Sequence, residues 1–130
     1  MARSASVQIS QVGLASATSA NGVARNGTSV SLATMAAGSL SIAAQATIVT
    51  GSVVATFKPQ VSLDNTNWFD VKLSNNAANV TLAATGSLAL QLSDLSGWKF
   101  FRCVATLSGA ATAAGDLTQV DYIARKFGSA

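Results

Sequence analysis

Val53-Val54-Ala55-Thr56-Phe57-Lys58-Pro59-Gln60-Val61-Ser62-Leu63 decides how the chain is read. Val53, Ala55, Phe57, Pro59, Val61 and Leu63 take every second position, and Thr56, Lys58, Gln60 and Ser62 fall between them. An apolar period of two belongs to a β-strand, whose successive side chains point to opposite faces. One side of this segment therefore meets a core, and the other meets water or a neighbour. Pro59 has no N–H to give to a ladder, which predicts a sheet edge or a bulge at this place.

The same alternation recurs on both sides of that stretch, in Leu40, Ile42, Ala44, Ala46 and Ile48 and again in Leu88, Leu90 and Leu92. Met35 to Ala46 is rich enough in alanine to suggest a helix, but Gly38 and the alternating Ser39, Ser41 and Gln45 favour a strand. Val7 to Val12, Ser29 to Thr34, Trp68 to Ser74, Asn79 to Ala84, Trp98 to Leu107 and Leu117 to Arg125 bring the count to about nine short strands. Between them stand Asn21-Gly22, Asn26-Gly27, Thr50-Gly51-Ser52, Asp64 to Asn67, Asn75-Asn76, Thr85-Gly86-Ser87 and Ser96-Gly97, residues that let a backbone reverse. The expected fold is all-β: an antiparallel β-sandwich, jelly-roll-like, of about eight to nine strands. Residues 1–130 read as a single domain, with 1–28 as an N-terminal arm that orders against a partner and 29–127 as the sandwich.

Composition narrows the function. Ala, Ser and Thr fill 54 of the 130 positions, charged residues make up 10%, and Glu and His are absent. The usual general acids, bases and metal ligands are therefore nearly missing, and no Ser/His or Cys/His pair, phosphate-cradling loop or Cys-x-x-Cys is present. The expectation is a protein that is not an enzyme and takes no cofactor or metal. Leu, Ile, Val and Phe total 33 residues, enough apolar surface for a core, so the chain does not read as disordered. The lone Cys103 lies in an apolar run and reads as buried packing. Met1 to Ser6 has no apolar segment of a secretory signal behind it, and no run is long and apolar enough for a membrane-spanning helix. Synthesis in a cytoplasm is the expectation, with no membrane partner. The eight basic residues form no stripe, so nucleic acid is not an expected partner.

Six residues stand out as interaction candidates: Pro59, Asp64, Asn67, Trp68, Trp98 and Arg102. Trp68 shares parity with Asp70 and Lys72, while Phe69, Val71 and Leu73 form the apolar row, so Trp68 belongs to the less buried face or the strand end. It either closes the hairpin over its neighbours, fills a pocket on a partner or stacks on a sugar ring. Trp98, Phe100 and Val104 share one parity and Phe101, Cys103, Ala105 and Leu107 the other, which makes that strand apolar on both faces and central. Arg102 in such a run must snorkel outward or meet a carboxylate, for which Asp70 and Asp121 are the plausible partners. Asp64 sits in a turn, where Asp commonly serves the backbone.

A freely diffusing domain keeps a charged, mixed surface, and this chain has too few charges to cover about nine strands. An outward parity of Ala, Ser and Thr gives a flat, small-grained, neutral surface suited to subunit contacts, and open strand edges would otherwise invite aggregation. The expectation is a repeated subunit of a larger assembly.

Val61-Ser62-Leu63-Asp64-Asn65-Thr66-Asn67-Trp68-Phe69-Asp70-Val71, then Ser96-Gly97-Trp98-Lys99-Phe100-Phe101-Arg102-Cys103-Val104 and the strand Asp116 to Arg125, resemble small β-sandwich structural proteins of tailed bacteriophages. These include capsid decoration (cement) proteins and some tail or neck proteins. The similarity covers roughly Val53 to Arg125, and its motif is loose: strand, Asp-containing hairpin, Trp, strand, then Trp and Arg in a later strand. Gly often follows the turn Asp in that family; Asn65 stands there in this chain, a residue that still reaches positive φ. The resemblance implies a virion component made in the host cytoplasm, commonly a trimer or other homo-oligomer seated on major capsid or other virion subunits. Similar patterns occur in carbohydrate-binding sandwiches, so a host-receptor or glycan-binding module is the alternative.

Overall fold

The computed structural model describes residues 5–32, 40–73, 75, 77–92, 95, 97–109 and 115–128, with side chains described from residue 11 to residue 123. Ten strands run through them: β1 (Ala5–Ala17), β2 (Ala24–Asn26), β3 (Val30–Ser31), β4 (Ser41–Thr47), β5 (Val54–Ser62), β6 (Trp68–Asp70), β7 (Val80–Leu82), β8 (Gly86–Gln91), β9 (Phe100–Ser108) and β10 (Leu117–Gly128). All strand pairs are antiparallel. The first sheet has the order β1-β10-β4-β8 and the second β2-β9-β5-β6, with β3 also on β9 and β7 also on β5. Because β2 and β3 follow one another along one edge of β9, and β6 and β7 share one edge of β5, the ten strands fill eight places. Numbered in chain order, those places read 1-8-3-6 in one sheet and 2-7-4-5 in the other. Two Greek keys wound over each other give that order, so the sandwich is a jelly roll.

The core lies between the sheets and comes from the alternating rows. Ile42, Ala44 and Ala46 of β4 and Val120 and Tyr122 of β10 face Ala55, Phe57 and Val61 of β5 and Phe101, Cys103, Ala105 and Leu107 of β9. Buried alanines on three strands, Ala44 and Ala46 on β4, Ala55 on β5 and Ala105 on β9, leave room for the large side chains around them, Phe57, Phe101 and Ile42, all fully buried. The ring edge of Tyr122 meets Phe101 at 5.3 Å between centroids and 73° between planes. Burial pushes the Cys103 thiol up to about 12, which keeps it protonated and suits packing rather than reactivity.

Among the described residues, two side chains carry hydrogen bonds between the sheets, and sequence reading found neither. The Tyr122 hydroxyl, carried by the first sheet, accepts from the Cys103 N–H at 3.0 Å and donates to the Thr28 carbonyl at 2.8 Å. It enters the break between β2 and β3, where the Gly27 N–H reaches the Cys103 carbonyl at 2.8 Å. A Cβ on Gly27 would collide with that carbonyl and with the tyrosine hydroxyl, so only glycine fits there. Arg25, on β2, donates to the carbonyls of Ala15 and Ala17 on β1 and to the carbonyl and hydroxyl of Thr118 on β10. A guanidinium with several donors in a fixed fork thus binds carbonyls where the register of β1 with β10 shifts.

Three expectations need correction. Pro59 lies neither at an edge nor in a bulge: β5 has β9 on one side and β6 and β7 on the other, and its register with β9 runs unbroken from Val54–Ser108 to Ser62–Phe100. The Pro59 carbonyl accepts from the Val71 N–H at 3.2 Å, so its polar groups point away from β9. The missing N–H thus falls at the gap between β7, whose pairing with β5 reaches Phe57, and β6, whose pairing starts at Gln60, and no bond to β9 is lost. Leu63, expected on the core row, is 52% exposed, because β5 ends at Ser62 and the turn begins there. Phe69, read with the buried row, is 53% exposed. It stands opposite Val61 on the edge strand β6, where its ring packs on Trp98 and keeps its outer part in water.

Residues 5–26, within the segment read as an arm, pair with β10 through β1 and with β9 through β2. The β2 strand had no signal in the alternation. Met35 to Ser39, part of the helix-or-strand question, lie outside the described residues.

Candidate interaction surface

The turn between β5 and β6 is organised by two side chains. The Ser62 hydroxyl, fully buried, accepts from the N–H groups of Asp64 and Asn65 and donates to the Asp64 carboxylate at 3.0 Å. That carboxylate also accepts from the N–H groups of Thr66 at 2.9 Å and Asn67 at 2.8 Å, and from the Asn67 amide at 2.7 Å. Asn65 adopts φ of 62°, the left-handed conformation its position after the turn Asp requires. Asp64 and Asn67 therefore shape the turn that delivers Trp68 to the start of β6.

The Asn67 and Thr66 donors hold the Asp64 carboxyl well below its ordinary 3.8. A depressed carboxylate lends stability that is fully present above the unfolded value and is lost progressively as pH falls from about 4 toward the lower folded value. Asp64→Asn keeps an acceptor for the backbone and removes the titration. Thermal melts between about pH 5 and about pH 3 should show a smaller fall in Tm for this variant than for the parent chain.

Trp68, half-buried, stands opposite Ser62 on the outer side of the second sheet. Arg102 shares that side, paired across β5 with Gln60, and its guanidinium lies over the Trp68 ring at 4.3 Å from the centroid. Arg102 Nε donates to Gln60 Oε1 at 2.9 Å, and Gln60 Nε2 donates to Asp70 Oδ1 at 3.0 Å. The same Asp70 oxygen lies 3.4 Å from Lys58 Nζ. Arg102 was expected to snorkel or to meet Asp70 or Asp121. It turns outward, the first of these, onto an indole and a glutamine amide, and reaches Asp70 only through Gln60. Burial lowers the Arg102 pKa, but a guanidinium keeps its charge at neutral pH.

Trp98, just before β9, is placed apart from Trp68. It packs against Phe69 at 5.6 Å between centroids, on the side of β6 opposite Trp68. The fold thus brings Asp64, Asn67, Trp68 and Arg102 to one end of the second sheet, sets Trp98 on the other side of β6, and leaves Pro59 buried in the core row. Gln60 and Lys58 belong to the same surface as Trp68 and were not singled out, whereas Phe69 lies with Trp98 on the other side of β6. The signal for the first two was their even spacing with Ser62 along β5.

The outer side of the first sheet has a different character. Ala43 stands between Ala89 and Asp121, Gln45 between Ser87 and Gln119, and Ser41 between Gln91 and Ile123. In these rows Asp121 is the one ionisable side chain, and the Gln119 amide donates to it at 3.3 Å. Val12, on β1 opposite Asp121, is 56% exposed beside them.

No protein-family model matches the sequence, and no curated protein sequence matches it. Solved structures match its fold. A chain of the T13 viral particle of infectious bursal disease virus (IBDV) superposes with a TM-score of 0.60 at 11% identity, over 93% of this chain and 31% of that one. A chain of the Gx strain of the same virus gives 0.59 at 11% identity, over 95% of this chain and 32% of that one. The SPBc2 prophage-derived protein YomS gives 0.52 at 14% identity, over 94% of this chain and 96% of YomS. This chain spans about a third of the two virus chains and nearly the whole of YomS.

Proposed function

We propose that this protein is a structural subunit of a virion, of the phage decoration (cement) type, which binds capsid or neighbouring subunits and stabilises the shell by buried area rather than by chemistry. The observation that carries this reading is the nearly uncharged set of outer rows of the first sheet among the described residues. Rows of Ala, Ser and Gln with Asp121 as their one ionisable group lose little solvation on contact, and flat sheet surfaces pack closely. The shared jelly roll supports it: one neighbour comes from a viral particle and another from a prophage. Because one fold serves many functions, that support is analogy and the surface chemistry carries more weight. A trimer or other homo-oligomer is the form proposed on the shell, and a tail or neck position is the nearest variant.

The test locates the chain by electron microscopy in particles purified from its source, alongside particles made with Ala43→Lys/Ala89→Lys. The expected result is ordered copies on the shell and a loss of about tenfold or more in occupancy for the lysine variant, with its Tm unchanged. Absence of the chain from particles, combined with binding on a glycan array that Trp68→Ala abolishes, would replace this reading by the receptor or glycan module.

A further inference from the structure

We propose that the free edge of β1 joins two copies of this chain, Ala5–Val12 of one pairing antiparallel with Ala5–Val12 of the other across a two-fold axis perpendicular to the sheet. The inference rests on the assembly reading in taking a second copy as the partner, and it names the interface.

β1 is the longest strand, with 13 residues, and forms one edge of the first sheet. Its two halves are treated differently. After Val12 the register with β10 shifts twice, and there the edge is covered: the Thr28 N–H donates to the Gly13 carbonyl at 2.8 Å, and Arg25 holds the carbonyls of Ala15 and Ala17. From Ala5 to Val12 the register is unbroken, and among the described residues no strand lies on the side away from β10. Soluble proteins commonly blunt such an edge with Lys, Pro or a bulge. Ala5-Ser6-Val7-Gln8-Ile9-Ser10-Gln11-Val12 contains no charged residue and no proline, and its bulges come later.

A copy added across β1 gives Ala5–Val12 a strand on its open side in both molecules at once and joins two four-stranded sheets into one.

The chemistry of the edge selects a second copy. An uncharged strand can face itself without opposing like charges, and an antiparallel two-fold pairing presents the same donors and acceptors from both sides. Keeping each copy's core on one face of the joined sheet requires opposed residues of equal parity, which places Gln8 or Ile9 opposite its own copy on the axis. The other edge of the first sheet is less open, because Leu92 after β8 bridges to Leu73 from the second sheet.

The experiment is sedimentation velocity of the full chain over a wide concentration range, with cysteine cross-linking. Cys103 is fully buried, so a thiol introduced in β1 is the reactive one. The expected result is a dimer, weakened about tenfold or more by Ser6→Lys/Ser10→Lys, with oxidation linking Gln8→Cys or Ile9→Cys chains but not Gln45→Cys chains on the exposed outer face. Should the lysine variant fail to fold, the cysteine series decides alone. A monomer at all concentrations, a ring of three without a β1 cross-link, or equal linkage at Gln45→Cys would overturn the proposal. A β1 dimer absent from particles would overturn the virion reading alone, and a chain present in particles without a β1 cross-link would overturn the edge alone.

Discussion

Phe57→Ala is expected to lower the free energy of unfolding by about 3–5 kcal/mol, a large share of the roughly 5–15 kcal/mol that holds a domain folded. Phe57 is fully buried in β5, opposite Ala105 on β9 and Val80 on β7. Ala105 directly opposite is too short to swing into the space the ring leaves, so the cavity term adds to the lost transfer energy. Urea titration should show a lower midpoint with an unchanged slope, because the surface exposed on unfolding stays nearly the same. A loss under about 1 kcal/mol would mean that the sheets close over the gap.

Tyr122→Phe is expected to cost about 2–4 kcal/mol although it removes a single atom and leaves the ring against Phe101. The hydroxyl serves the Cys103 N–H and the Thr28 carbonyl, and a phenyl ring leaves both without that partner in the break between β2 and β3. An unpaired buried polar group costs about 1–3 kcal/mol, and a water could replace the hydroxyl only if the site opened. Hydrogen exchange gives the local reading. The Cys103 amide should exchange faster in the variant, while amides at the β4–β10 pairing change only as global stability does. Equal stability of parent and variant would show that the link between the sheets contributes nothing net.

The alternation in Val53 to Leu63 fixed a strand, and its counterparts around β4, β8 and β10 were readable in the same way, because burial of one face writes a period of two into the sequence. β2 was not readable: Ala24-Arg25-Asn26 contains no apolar alternation, and its place comes from the pairing with β9 and the contacts of Arg25. Pro59 shows the opposite failure. The local rule that proline marks an edge is sound for a strand flanked along its whole length, but β5 is flanked on one side by two short strands with a gap between them. Within the candidate surface, Asp64 and Asn67 could be placed from turn chemistry alone. The partners of Arg102 could not, since Gln60 and Trp68 lie 42 and 34 positions away in the chain and meet it only through the registers of β5 with β9 and β6.

By itself the sequence determined an all-β chain, its turns, the scarcity of charge and the absence of His and Glu, all properties of residue type and short-range order. The tertiary structure decided which strands are neighbours, and therefore that the polar rows divide into nearly uncharged outer rows on one sheet and a Trp68–Arg102–Gln60–Asp70 row on the other. The reason is range: an alternation says that a residue faces outward, but only the pairing of strands distant in the chain says what stands beside it there.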